Sequence, residues 1–598
     1  MKHRTRILIA AALILLGPWA VQAQGPDRAD KPDARIVLHA AGRGNPWVNL
    51  LDGLPLAADY DGPTALTQLL KTGQAQALSL AAADFDRDGM PDLATGYAAP
   101  GGGLVTTRRG NVDLLWPEAA EAQQRKAAGT FTDAPFLSPA RISALSIAPD
   151  FLAAGDFDAD GYYDLVAAAH GGKLLYWLPG DGIGGFGPAQ TVQLPGRVTA
   201  LTVGEINRRD GLADLVVGVD GDAGPQVLAF EGPGGALRSA PEVFEVPAKV
   251  TALALAELDG HFAMDLAVAA GRELLIIHGR DRQLSLPPDW PGAKVSPAMI
   301  DRHELLFDPV AMAVGDLTPE DEHRLEVALL SDDGIVHVLD PATAREIMGY
   351  SLALANSPAY RLGLVATNVS GLPGDDLVVI DLIAQQLHVV VMGATETPDQ
   401  LGTAVSFSPR SATLDVAGSP VAVLPMRLNV DALSDLVVAA DGTAGLTVGL
   451  TALLATFTVN STGGEKKDCD LGDGVCIGKR RTEMGGCVVV NPDCTLAAAL
   501  SEASRHPGSQ ILFNVAPNNP DGSVTIPSLD NVRVRSGTTI LGASQPGYAD
   551  HPIVEVQAGL VADNDRSAQS DHVGYAFGRF GYMDVRQQWF SGGQSIGD

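Results

Sequence analysis

The sequence predicts an all-β fold, a seven-bladed β-propeller, and three observations carry that prediction. A nine-residue acidic loop occurs as DFDRDGMPD at Asp84 and again as DFDADGYYD at Asp156, each time leading into an apolar run. Weaker copies follow, so that seven loops align on Asp84, Asp156, Glu205, Glu257, Asp316, Asn368 and Arg427. Their spacing of 49 to 72 residues suits about four short strands with turns, which is one blade.

Ahead of the repeats, MKHRTRILIAAALILLGPWAVQA (1–23) reads as a signal peptide. Lys2, Arg4 and Arg6 form a basic start, Ile7 to Leu16 an apolar core, and Val21-Gln22-Ala23 a small-residue cleavage site. The expected product is secreted or held at the cell surface, with no transmembrane span after cleavage, because the apolar core is too short to cross a bilayer. Residues 24–34 read as a flexible leader, and Thr64 to Lys71 as a short helix. A strand near residues 35–40 is placed to close the ring in the last blade. With 19% charged residues and a formal net charge of −30, the chain lacks the basic clusters that nucleic-acid binding requires.

The loops explain much of the acidity. Carboxylates at positions 1, 3 and 5, a glycine at position 6 and an acid at position 9 repel one another unless a cation lies among them. The Asp-x-Asp-x-Asp-Gly order matches the first half of an EF-hand loop, and calcium is the expected cofactor. The later copies erode. Glu205 heads a loop with one extra residue, the Glu257 loop has His261 at position 5, and the Asp316 loop has lost its spacing. Asn368 and Ser370 replace acids, and Arg427 puts a cation at position 1, where it repels calcium and can itself bridge acids. These five read as structural loops.

The repeat resembles the FG-GAP (VCBS-type) repeat of integrin α-chain propellers and of many exported bacterial proteins. DFDRDGMPDL, DFDADGYYDLV and the Phe186-Gly187 pair in GDGIGGFGPAQTV carry the resemblance, which covers residues 35–455. It implies calcium between the first two strands of a blade. The ligands would be Asp84, Asp86, Asp88, the Met90 carbonyl and Asp92, and in the second loop Asp156, Asp158, Asp160, the Tyr162 carbonyl and Asp164. An insertion after GGGLVTTRRGN lengthens the first repeat. Pro117 there suits the first turn of a short helix, with Arg108, Arg109 and Trp116 near its base.

Composition shifts near Phe457. Cys469, Cys476, Cys487 and Cys494 cluster in one segment, which favours two local disulfides in an exported chain, with a zinc site as the alternative. The segment resembles the CSLREA-type domain, through Phe457 to Thr462, Asp473-Gly474-Val475-Cys476 and Cys494-Thr495-Leu496. The name-giving Leu-Arg-Glu-Ala is here Leu496 to Ala499 without its Arg and Glu. SQILFNV, GSVTIPS and TTILGAS read as first rungs, so residues 456–562 are expected to begin a short, incomplete parallel β-helix. Residues 563–598 show no strand periodicity and read as an irregular tail, consistent with a truncated end or one that orders on a partner.

No GxSxG, HExxH or Walker loop is present, and the GxGxxG spacing in GDGIGG lies between strands rather than at a strand-to-helix turn. His278, His337 and His388 read as hydrogen-bonded strand residues. A non-enzymatic binding or adhesion module for a protein or glycan is the expected function. A structural spacer and a polysaccharide-active enzyme are the alternatives.

Overall fold

Short strands dominate because the repeats are rich in Val, Leu and Ala between Gly turns, and they assemble into seven antiparallel sheets. The computed structural model describes residues 37–40, 48–117, 119–207, 210–261, 263–284, 296–318, 325–354, 363–372, 374–392, 409–431, 433–441, 445–452, 455–463, 476, 478–481, 487–491, 493–503, 508–526, 538–547, 553–556 and 582–584. The expected signal peptide and leader lie outside these residues, as do Cys469 and most of the tail.

In the first blade, Gln76–Ala83, Asp92–Ala99, Gly102–Arg108 and Ala140–Leu145 pair in chain order, and Tyr60–Asp61 adds a parallel fifth strand. The second to sixth blades span 151–193, 196–245, 250–304, 309–351 and 364–416, and the seventh is built on 419–449. Each second strand is covered on both faces by neighbouring blades, which is why Asp164–Ala168 and Asp265–Ala270 read as unbroken apolar runs after their first acid. Five of the first strands carry bulges, as between Ala77 and Ser79 and between Val250 and Ala252, which add twist where the blades converge.

The core is a ring of seven clusters, one at each junction between blades. Phe85, Val105, Leu165 and Leu178 join the first two blades. The ring closes where Leu93, Tyr97 and Leu104 pack on Met426, Leu428 and Val437 of the seventh.

Closure uses different residues from those expected. Leu54–Pro55 supplies the outer strand of the seventh blade, pairing Leu54 with Val448. Leu38–His39 instead adds a fifth strand to the sixth, pairing Leu38 with Val416. Leu38 is fully buried in the cluster between these two blades, so the N-terminal segment staples both.

Thr64–Lys71 is helical as expected. The insertion leaves the first blade between its third and fourth strands and forms Val112–Leu115 and Ala120–Ala128. Pro117 lies in the turn ahead of the second helix, not in its first turn, and its carbonyl accepts from Gln123 Nε2 and Lys126 Nζ. After the propeller, Thr456–Val459, Ser509–Phe513 and Thr538–Leu541 pair in parallel, as do Val524–Ile526 and Val554–Val556. Cys476 and Cys494 form a disulfide, and Thr539 Oγ1 donates to the Val430 carbonyl of the seventh blade at 3.0 Å. Within the tail expected to be irregular, Tyr582–Asp584 pairs antiparallel with Thr538–Leu541, a strand too short to show a period.

Candidate metal centres on the blade loops

Every loop joins the first strand of its blade to the second, and its last acid opens the second strand. Asp92, Asp164, Asp214, Asp265, Glu326, Asp376 and Asp435 hold this place, all at most 5% exposed. Each accepts the backbone N–H of loop position 2: Phe85, Phe157, Ile206, Leu258, Leu317, Val369 and Leu428, at 2.6 to 3.1 Å. In four blades the other oxygen accepts an amide just past the third strand, from Gly110, Gly180, Gly279 or Thr451. The closing acid is thus a carboxylate clip in all seven blades, at the ninth loop position in five of them, the tenth at Asp214 and the eleventh at Glu326. Glu326 fills it from an irregular loop whose sequence does not reveal it.

The glycines after the third strand follow from this clip. A Cβ on Gly180 would lie 2.2 Å from the Tyr163 carbonyl oxygen, so no side chain fits where that amide reaches Asp164.

The first two loops share one backbone. Position 4 is left-handed, with φ 63° at Arg87 and 58° at Ala159, and so is position 6, at Gly89 and Gly161. Asp84 accepts from the amides of Asp88 and Gly89, and Asp156 from those of Asp160 and Gly161. These bonds aim the carboxylates inward. Oxygens of Asp84, Asp86 and Asp92 come within 4.8 Å of one another, and so do those of Asp156, Asp158 and Asp164. Asp88 and Asp160 stand outside those sets and turn back to accept from the Met90 and Tyr162 amides at 2.9 and 2.8 Å.

Oxygens Asp86 Oδ1 and Asp158 Oδ1 are buried with no hydrogen-bond partner, on side chains 6% and 8% exposed. An unpaired buried acceptor costs about 1–3 kcal/mol, more when charged. Burial, together with the charges of Asp86, Asp88 and Asp84, pushes Asp92 up to about 7. Asp164 is pushed up to about 6, again chiefly by burial. Both clusters therefore favour a proton or a cation. Donors of this kind, all oxygen and partly anionic, suit calcium.

Arginines also approach the acids. Arg109 pairs with Asp86 and, at 3.0 Å, with Asp88. Arg238 of the third blade pairs with Asp158 at 2.6 Å. The loop after each third strand in the second and third blades leans on the preceding blade. Gly184 N donates to the Phe85 carbonyl, Leu237 N to the Phe157 carbonyl, and Phe186 packs edge-on against Phe85 at 5.2 Å.

The eroded loops hold their acids by other means. In the sixth blade, Ser370 donates to Asp376 through both N–H and Oγ, and Asn368 Nδ2 caps the Leu372 and Gly374 carbonyls. In the seventh, Arg427 Nε donates to the Asp431 carbonyl at 3.1 Å, and its charge helps hold down an Asp431 carboxyl that burial raises to about 6. In the fourth, His278 Nδ1 lies 2.9 Å from Asp259 and Nε2 2.9 Å from Asp301. Burial alone would lower His278, yet the hydrogen bonds to Asp301 and Asp259 raise it. His278 is hydrogen-bonded beside its strand, as expected, and its partners are acids of the loop and of the neighbouring strand.

These observations define a seven-bladed β-propeller with acid clusters on two adjacent blade loops. No known family model matches the chain, and no curated protein matches it. Among solved structures it is similar to BBS1N in complex with ARL6DN, soaked with lead, at 14% identity and TM-score 0.41 over 64% of this chain and 95% of that one. The same complex soaked with mercury gives 13%, 0.41, 68% and 97%. The WD40 β-propeller domain of Doa1 gives 12%, 0.36, 64% and 94%. At these identities the likeness concerns the propeller alone. Among the described residues, no helix is long and apolar enough to cross a membrane.

Proposed function

We propose that this chain is an exported, calcium-stabilised propeller of the FG-GAP/VCBS type, serving as a binding or adhesion module for a protein or glycan at or outside the cell surface. The observation that carries the metal assignment is the pair of buried, unpartnered oxygens Asp86 Oδ1 and Asp158 Oδ1, each beside two further carboxylates. Asp84, Asp86, Asp92 and the Met90 carbonyl would hold one ion, and Asp156, Asp158, Asp164 and the Tyr162 carbonyl the other, with Asp88 and Asp160 completing the sets. When bound, calcium neutralises acids that otherwise repel one another. No catalytic residue is part of this reading.

A propeller suits a binding role because its blades form a rigid scaffold whose loops present side chains. The insertion at 109–139 is one such loop, braced by Asn111 Nδ2 on the Thr132 and Ala134 carbonyls. The segment after the propeller is assigned to the CSLREA type as the start of a parallel β-helix. Its support is the two sets of parallel pairs, which repeat at an offset of about 30 residues.

Calorimetric melting in calcium and in chelator tests the metal reading. A ligand at a hundred times its Kd stabilises by about 2.7 kcal/mol, so calcium should raise Tm by several degrees, and the double variant D86N/D158N should lose the shift. A chelator-insensitive wild type would sink the reading. An array of glycans and matrix proteins, probed in calcium, tests the binding role, and the absence of any saturable partner counts against it.

A further inference from the structure

The junction that closes the ring holds a buried cluster of hydrogen-bond donors and no acid. Across the second and third strands of the first blade, Leu93 pairs with Arg108, Thr95 with Thr106 and Tyr97 with Leu104. Alternation puts all six side chains on the face that meets the seventh blade, where Leu93, Tyr97 and Leu104 pack. Arg108 is 2% exposed, and Thr95, Tyr97 and Thr106 are wholly buried. The seventh blade covers them with Met426, Leu428, Val437 and Ala439, none of which carries a side-chain oxygen.

Arg108 is the unusual member. Its Nη1 donates to the Ala57 carbonyl at 3.0 Å, and its guanidinium lies 5.3 Å from the centre of the Tyr60 ring. Its Nε is buried with no partner. Among the described residues no carboxylate pairs with it. By contrast Arg280 and Arg282, with side chains 14% exposed, pair with Glu242 and Glu231. A buried charge ordinarily carries a counter-charge, because the interior solvates it poorly.

The hydroxyls beside it are a second observation. Tyr97 OH, Thr95 Oγ1 and Thr106 Oγ1 are all buried without a well-formed hydrogen bond. Burial pushes Tyr97 up to about 12, so it stays a protonated donor, and Arg108 stands close enough for its charge to pull the other way. Groups that can all donate, around one positive charge, repel cations and attract an anion.

We infer that the junction between the first and seventh blades is a closed site for a small monovalent anion of the chloride type, held by Arg108 with the hydroxyls of Thr95, Tyr97 and Thr106. One negative charge matches the one guanidinium. Enclosure on both faces excludes an acidic group borne by a larger ligand, and a doubly charged oxyanion would exceed the charge available. Occupied, the site clasps the two blades that close the ring, and it does not rest on calcium in the loops.

The test compares sodium chloride, bromide and gluconate at equal ionic strength on the full chain, by melting temperature and by chloride NMR line width. Chloride and bromide should raise Tm over gluconate by about 2 °C or more, and the protein should broaden the chloride line until bromide competes. R108M should lose both responses. T106V keeps the branched shape and the strand preference, so it folds even where R108M does not. Loss of one hydrogen bond to a charged group should weaken its chloride binding by about tenfold. The inference is overturned if the wild type melts alike in all three salts and leaves the chloride line unchanged, since ordered water alone then fills the hydroxyls' needs. It is equally overturned if T106V, and R108M where it folds, respond to chloride like the wild type.

Discussion

Asp376→Ala isolates the carboxylate clip in a loop where Ser370 and the backbone satisfy the acid. Asp376 is 1% exposed, and one oxygen accepts the Val369 and Ser370 amides at 2.9 and 2.8 Å while the other accepts Ser370 Oγ at 3.0 Å. Val369 is fully buried, so truncation strands at least that amide in an apolar junction between blades. At roughly 1–3 kcal/mol for each unsatisfied group, the expected cost is on the order of 4 kcal/mol. Urea unfolding measures it, as a fall in midpoint at unchanged m. The exposed Asp220→Ala serves as control and should stay within about 0.5 kcal/mol.

Acidity supplies a second reading of the same residue. Burial pushes Asp376 up to about 6, against roughly 4 in an unfolded chain. The folded protein therefore keeps this proton where the unfolded chain releases it. The group's stabilising contribution is fully present below about pH 4 and is lost as pH rises to about 6, a change on the order of 3 kcal/mol. Asp376→Asn should remove that slope while keeping an acceptor for the amides. The clip is refuted if Asp376→Ala costs no more than Asp220→Ala, or if wild type and Asp376→Asn run parallel from pH 4 to 7.

Two further outcomes test the loop backbone. Ala159→Gly relieves a left-handed residue at φ 58° and should stabilise the protein by about 1 kcal/mol in the same urea assay; a loss of stability would contradict the strain. Gly180→Ala drives a Cβ to within 2.2 Å of the Tyr163 carbonyl oxygen and should cost more than about 2 kcal/mol, so near-neutral behaviour would refute the close approach.

Much of the propeller was legible because its determinants are local and repeated. Each copy needs an acidic turn and a second strand buried on both faces, and both leave marks within about twenty residues. The first two acid clusters were legible for the same reason, through Asp84 to Asp92 and Asp156 to Asp164. Ring closure was not: Leu38–His39 and Leu54–Pro55 are two residues each, too short to show a period, and their partners lie hundreds of residues away. The Glu326 clip was hidden by an irregular loop, and the acid partners of His278 by their distance from it along the chain.

By itself the sequence determined the repeat, the number of blades and the acids of the first two loops, since turn geometry and strand burial depend on near neighbours in the chain. Only the tertiary structure decided which positive group meets which acids. Arg109 reaches Asp86 from just past the third strand of its blade, Arg238 crosses from the next blade to Asp158, and His278 sits between Asp259 and Asp301. Those meetings depend on strand register and on how blades abut, and Coulomb forces act on separation in space, not on separation along the chain.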